Sequence, residues 1–284
     1  MEGVARPFAD TVLYLYGFVR ASAPVPPLAG LEPGSRVFLV AAGDLACAAS
    51  EVPAQIYQSE QRAPERGEWL TRRAIQHHEI IQVLHAAGGV LPLKFGTLCQ
   101  SLEDAKAMLD DVRPAIGELL ERFAGKDEWT LKSEVDATAI ASLIERESGA
   151  LIALREREAA LPEGRAYFVR KQRMRLVATL ISERLAVLED AVGDRLGRLG
   201  VPLVRTRRAP ENPTNALTDA PLLVDRGALD AVKETLIDLQ AEHADCGVSF
   251  TLVGPWPPYS FVPALSAGQL SRELIPDVAG SGSR

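Results

Sequence analysis

Residues Phe250–Val262 read FTLVGPWPPYSFV, a β-like tetrapeptide running into three prolines interleaved with Trp256, Tyr259 and Phe261. Proline lacks the backbone donor and fixes φ, so Pro255, Pro257 and Pro258 prevent the stretch from continuing as a central strand. The result is a stiff, extended strap whose aromatic side chains are held at low entropic cost. Such a strap suits a core, a domain seam or a partner's surface.

Working outward from the strap, GVSFTLVG (247–254) reads as the last strand of a domain whose elements run back to residue 126. Asp225 is placed to cap a helix bearing Leu229, Val232, Leu236, Leu239 and His243, and ALTDAPLLV (216–224) precedes it as a strand. VPLVRTRR (201–208) reads as another strand, ahead of the turn residues APENPTN. A long helix carries Val177, Ile181, Leu185, Leu188, Val192 and Leu196 at three- and four-residue steps, which describe one apolar face. Residues 137–160 read as a charged helical stretch, and EWTLKSEVD (128–136) as a strand. Strand, helix, strand, strand, helix, strand is the split βαβ order of a ferredoxin-like domain.

Phe123–Asp127 reads as the joint to a different domain. There TVLYLYGFVR (11–20) predicts a strand covered on both sides, with Val12, Tyr14, Tyr16 and Phe18 on one face and Leu13, Leu15 and Val19 on the other. A Pro- and Gly-rich loop (21–34) and a short strand (36–41) follow. Residues 64–87 predict a helix with Leu70, Ala74, His77, Ile81 and Leu84 on its stripe, stopped at Gly88-Gly89. VLPLKFGTL (90–98) reads as a strand entering a turn, and Ser101 caps an amphipathic helix from Leu102 to Leu119. The expected fold class is α+β in two domains: 1–125 as an N-terminal α+β domain, 126–262 as a ferredoxin-like domain with long helices inserted, and 263–284 as a flexible tail.

Composition fits this. Of 284 residues, 47% are apolar and 24% charged, the balance of a core-forming chain. No apolar run approaches the roughly 20 residues of a membrane-spanning helix. MEGVARPFAD lacks the start of a secretory signal, and Cys47, Cys99 and Cys246 form no CxxC pair, so a reduced, cytoplasmic setting is expected, with each cysteine a small buried hydrophobe. Residues 165–208 hold eleven Lys or Arg against four acids, a local charge of +7 within a net charge of −7, leaving −14 for the remainder. One basic surface on an acidic background permits docking to an acidic partner or head-to-tail self-association.

Chemistry-bearing residues are few. His77, His78 and His85 share a helix with Glu79, but the spacing is not HExxH and no second ligand cluster accompanies them, so imidazoles satisfied on a half-buried face are the simpler reading. Lys94 in LPLKFGT lies beside Gly96 and Thr97 without the order of a phosphate loop. VRKQRMR (169–175) offers positive charge, with only Tyr167 and Phe168 near it as stacking aromatics, so a solvated face or a protein contact is favoured over nucleic acid. The pairs Glu145/Glu147 and Glu156/Glu158 lie in charged helices where salt-bridged surfaces are ordinary, and there is no nucleophile elbow. These residues assemble no active site, metal site or cofactor site. An alternative reading is a ferredoxin-like small-ligand-binding protein or enzyme with an interdomain site around Lys94, His78 and Arg173.

The strap closely resembles the C-terminal signature of the gas vesicle protein F/L family (GvpL/GvpF), in which a last strand ends in a GPWPPYSF-like motif. YLYGFV (14–19), LPLKFGT (91–97) and EWTLKSEVD (128–136) fit in register, so the resemblance covers about residues 11 to 262. It implies a non-catalytic gas vesicle accessory protein without cofactor, cytoplasmic and associated with the vesicle, contacting the hydrophobic shell protein GvpA and other vesicle proteins. It also implies an N-terminal α+β domain followed by a ferredoxin-like one. A helper for so apolar a subunit must present amphipathic surface without sticking to itself. The expected interaction or domain-seam residues are Trp256, Pro257, Tyr259 and Phe261 in the strap, with Arg170, Lys171 and Arg173 as an electrostatic docking face.

Overall fold

The computed structural model describes residues 10–57, 66–203 and 216–262. The chain divides into two units, Met1–Asp127 with Trp256–Arg284, and Glu128–Pro255. Its strands are β1 (Thr11–Arg20), β2 (Phe38–Ala42), β3 (Leu45–Pro53), β4 (Leu91–Pro92), β5 (Leu98–Cys99), β6 (Lys126–Val135), β7 (Ala216–Asp225) and β8 (Val248–Trp256). Its α-helices are α1 (Ala54–Tyr57), α2 (Arg66–Gly88), α3 (Leu102–Phe123), α4 (Ala137–Glu147), α5 (Gly149–Ala159), α6 (Glu163–Arg198) and α7 (Leu229–Glu242). None among the described residues is long and apolar enough to cross a membrane.

The first unit is built on β1. Antiparallel β3 pairs with one edge of it, while β4 and β5 share the other, and β2 extends the sheet beyond β3. Tyr14, Tyr16 and Phe18 are fully buried, as a strand covered on both faces requires. Each such ring contributes on the order of 2–3 kcal/mol by leaving water.

The alternation expected along β1 fails past Leu15. The register steps from Leu15↔Ala49 to Gly17↔Ala48, so Tyr16 is an extra residue on β1. An inserted residue exchanges the faces of everything after it. Val19 therefore joins Val12, Tyr14 and Tyr16 in the core shared with Ile80, Ile81 and Leu84 of α2, and Phe18 leaves it. Gly17 follows the bulge because a Cβ there would lie 2.6 Å from the Leu91 carbonyl oxygen and from Val90 Cγ2. The buried residues of α3, Ala105, Leu109, Val112 and Ile116, form a strip at helical spacing, and α3 packs on β1, β2 and β3. Ser101 caps α3 as expected, its Oγ accepting from the Asp104 amide at 3.1 Å, whereas Leu70 and Leu102, counted on apolar stripes, are exposed.

The second unit carries a three-stranded sheet in the order β7–β6–β8, with an antiparallel bridge from Leu203 to Leu222 of β7. Its core joins Leu131 and Val135 of β6 to Leu188, Val192 and Leu196 of α6 and to Val232, Leu236 and Leu239 of α7. The charged stretch 137–160 is two helices, because Ser148 turns extended and its side chain caps α5 through the Leu151 amide. Of the strand expected at 201–208 the described part is the bridge at Leu203; residues 204–208 and the tail 263–284 lie outside the described residues.

Candidate interaction site

α2 presents two consecutive histidines, and each receives one of the motifs singled out in the sequence. His77 points inward. The Gly96 amide donates to Tyr14 Oη at 2.9 Å, leaving the phenol proton for His77 Nδ1 at 3.0 Å. LPLKFGT is thereby tied to both β1 and α2, and the ties continue through Leu93 N to Tyr16 O and Leu15 N to Thr97 O. Gly96 takes a positive φ of 84°, a conformation open to glycine, and Thr97 Oγ1 closes the turn on Lys94 O at 2.7 Å. Burial pushes the His77 pKa down to about 4, against a partial opposing effect from its bond to the Leu93 backbone. The imidazole is neutral and structural.

His78 points outward and receives the strap. Its Nδ1 lies 2.9 Å from Tyr259 Oη, and the Trp256 and Tyr259 rings each sit with centroids 5.7 Å from the imidazole. Pro257 and Pro258 are buried, and the Pro258 carbonyl accepts from the amides of Phe261 and Val262, turning the chain. Trp256 and Phe261 are half-buried and Tyr259 is 38% exposed. The glycine preceding the strap has its own reason: a Cβ at Gly254 would come within 3.0 Å of the Glu128 carbonyl oxygen and of the Trp129 indole.

The remaining sequence candidates separate. His85 Nε2 bonds Asp127 Oδ1 at 2.8 Å, so the three histidines serve three different partners, and among the described residues no group of His, Cys, Asp and Glu is arranged to hold a metal ion. Lys94 is exposed on its loop. In the second unit Arg170 Nε and Arg173 Nε grip the two carboxylate oxygens of Glu158 at 2.7 and 3.1 Å, and Arg173 also reaches Glu145. Arg170 first, then Arg173, holds the Glu158 carboxyl below its ordinary pKa. These two arginines fasten α6 to α5 and α4, whereas Lys171 is exposed. Cys47 and Cys246 are buried and Cys99 is half-buried.

One cluster escaped the sequence reading. The loop 21–34 is a packed element: Leu31 is buried, and Glu32 accepts from Tyr57 Oη at 2.7 Å and from Arg73 Nη2 at 2.8 Å. Arg73 also bonds Leu31 O and Gln76 Oε1, with its guanidinium 5.8 Å from the Trp69 ring centre. The one available signal was Glu32 amid apolar and turn residues, because a lone acid in such a loop needs a cation to be buried.

Residues 12–263 match the family model described as gas vesicle synthesis protein GvpL/GvpF. Gas vesicle protein L of Streptomyces sp. (strain CB03234) is 29% identical, the alignment covering 89% of this chain and 93% of that protein. Gas vesicle protein F of the same strain is 28% identical over 88% of this chain and 98% of that protein. In fold, the crystal structure of GvpF from Anabaena sp. PCC7120 is similar with a TM-score of 0.69 at 19% identity, covering 89% of this chain and 99% of that one.

Proposed function

From the premise that this chain belongs to the GvpL/GvpF family of gas vesicle synthesis proteins, we propose that it is a non-catalytic accessory factor that binds the shell protein GvpA and other vesicle proteins while gas vesicles form. It acts in the cytoplasm and at the vesicle, as a folded body that holds an apolar subunit without changing it chemically. The observation that carries this reading is the extent of the family match, which runs from β1 to the end of the strap. The polar groups of its motifs support it, because Tyr14, Gly96 and His77 satisfy one another. In this reading the second unit is a ferredoxin-like domain, supported by its strand order with the Leu203 bridge as the remaining position.

The strap serves packing first, as the buried Pro257 and Pro258 and the Tyr259–His78 bond suggest. Pull-down of purified GvpA by the full chain tests the function, and absence of binding to GvpA and to every other vesicle protein overturns it. Replacing Trp256 and Tyr259 with Ala separates packing from contact. A variant that unfolds supports packing; one that folds and still binds GvpA removes the strap from the contact surface.

A further inference from the structure

The N-terminal half of α6 has two unlike faces. Ala166 and Val169 are buried on one side, where Arg170 and Arg173 are consumed by Glu158. On the other, Tyr167, Phe168, Lys171, Met174, Arg175 and Ala178 are all exposed. At 100° per residue these six occupy an arc of roughly 120°, along about 17 Å of helix. Tyr167, Phe168 and Met174 are 56%, 71% and 63% exposed, the largest run of bare apolar side chains on any described helix, and the two rings meet edge-to-face at 5.7 Å. Aromatic anchors with an adaptable methionine are the composition of a contact surface.

We propose that this face of α6 is the docking site for an acidic amphipathic helix of a partner protein, about four turns long, with apolar residues at i, i+3, i+4 and i+7 and Asp or Glu alongside. Charge decides the occupant. Lys171 stands in the middle of the arc, between the aromatics and Met174, with Arg175 beside it, so whatever covers the rings must also neutralise cations within the apolar stripe. A carboxylate carried on a helix does so by pairing. A lipid surface would favour cations at the rim of the stripe, free to reach the headgroups. On α3 of a second copy the exposed acids, such as Asp110, Asp111 and Glu118, lie on the side opposite its buried apolar strip, so that helix does not combine the two features. The site goes beyond the assembly role proposed above and does not depend on which vesicle protein supplies the helix.

The test is fluorescence anisotropy of a labelled peptide of roughly 15 residues, with leucines at the spacing above and flanking glutamates, titrated with the full chain. Tyr167→Ser with Phe168→Ser is expected to weaken binding at least about tenfold, as loss of paired aromatic anchors does. Lys171→Glu with Arg175→Glu is expected to weaken it similarly and to transfer preference to a lysine-flanked peptide. All four residues are exposed, so circular dichroism should be unchanged. Should the aromatic variant unfold, the charge-reversed pair and its preference for the lysine peptide carry the test alone. Undiminished binding by both variants, or equal binding of the two peptides by the natural chain, overturns the proposal. So does binding to phosphatidylglycerol vesicles in place of the peptide, or self-association abolished by the same substitutions. Pull-down of the shell protein tests the assembly role, whereas the peptide tests this face, and the two can fail separately.

Discussion

Acidification should destabilise the first unit through His77. The imidazole is 5% exposed, accepts from Tyr14 at Nδ1, and has its pKa lowered by burial from 6.5 to about 4. In the unfolded chain it takes up a proton near its ordinary pKa, while in the folded chain it resists until far lower pH. The stability it supports is therefore complete above about pH 6.5 and lost as pH falls toward about 4, at about 1.4 kcal/mol per unit, or about 3 kcal/mol across the window. Between about pH 7.5 and 5.5 the loss from this group alone is about 1.3 kcal/mol. His77→Gln removes the titration while its amide keeps an acceptor for Tyr14 and a donor for the backbone. Urea unfolding of both proteins across this range isolates the imidazole, because every other titrating group is common to them. The natural protein should lose stability with acid more steeply, by up to one proton's worth. Equal acid slopes for the two proteins would show that His77 is accessible or already charged when folded, and the reasoning would fail.

Tyr14→Phe leaves the Gly96 amide and His77 Nδ1 without their shared partner and should cost about 2 kcal/mol, measured by urea unfolding at neutral pH. Gly17→Ala forces a methyl to within 2.6 Å of the Leu91 carbonyl and should destabilise by about 1–3 kcal/mol, visible as a lowered melting temperature. Glu158→Gln loosens the clasp of Arg170 and Arg173, so α5 amides should exchange hydrogen faster while those of α2 are unchanged.

The helices were legible because amphipathic spacing reports a buried face directly. Leu188, Val192 and Leu196, read from that spacing, are all core residues. β3 was not legible. LACAASEVP is buried on both faces by Ala, Cys and Val, so it shows no alternation, and alanine favours helices by propensity. The bulge at Tyr16 leaves no mark in composition, because Gly17 only signals that a backbone approaches closely. The prolines mark the end of β8, which runs two residues past the expected Gly254 to Trp256, yet the partner of Tyr259, His78, is 181 residues away. The basic helix was visible as charge, but whether each arginine was spent inside the molecule depended on Glu145 and Glu158 on neighbouring helices.

Those failures share a cause, and it bears on function. Three of the stretches that resemble the family, YLYGFV, LPLKFGT and the strap, are runs of residues whose meaning lies in a contact far along the chain. LPLKFGT reaches α2 through Tyr14 and His77, and the residues after GPW reach it through Tyr259 and His78. Adjacent positions on a helix project about 100° apart, so one dipeptide receives an internal tie on one side and an external one on the other. These three stretches thus tie the first unit together around α2. What remains unspent is the aromatic and cationic face of α6, which no described contact explains and which the motif resemblance did not mark. Recognition by this chain is therefore expected to reside where its sequence is least like a signature, on a helix whose buried side the core dictates and whose outer side only a partner can.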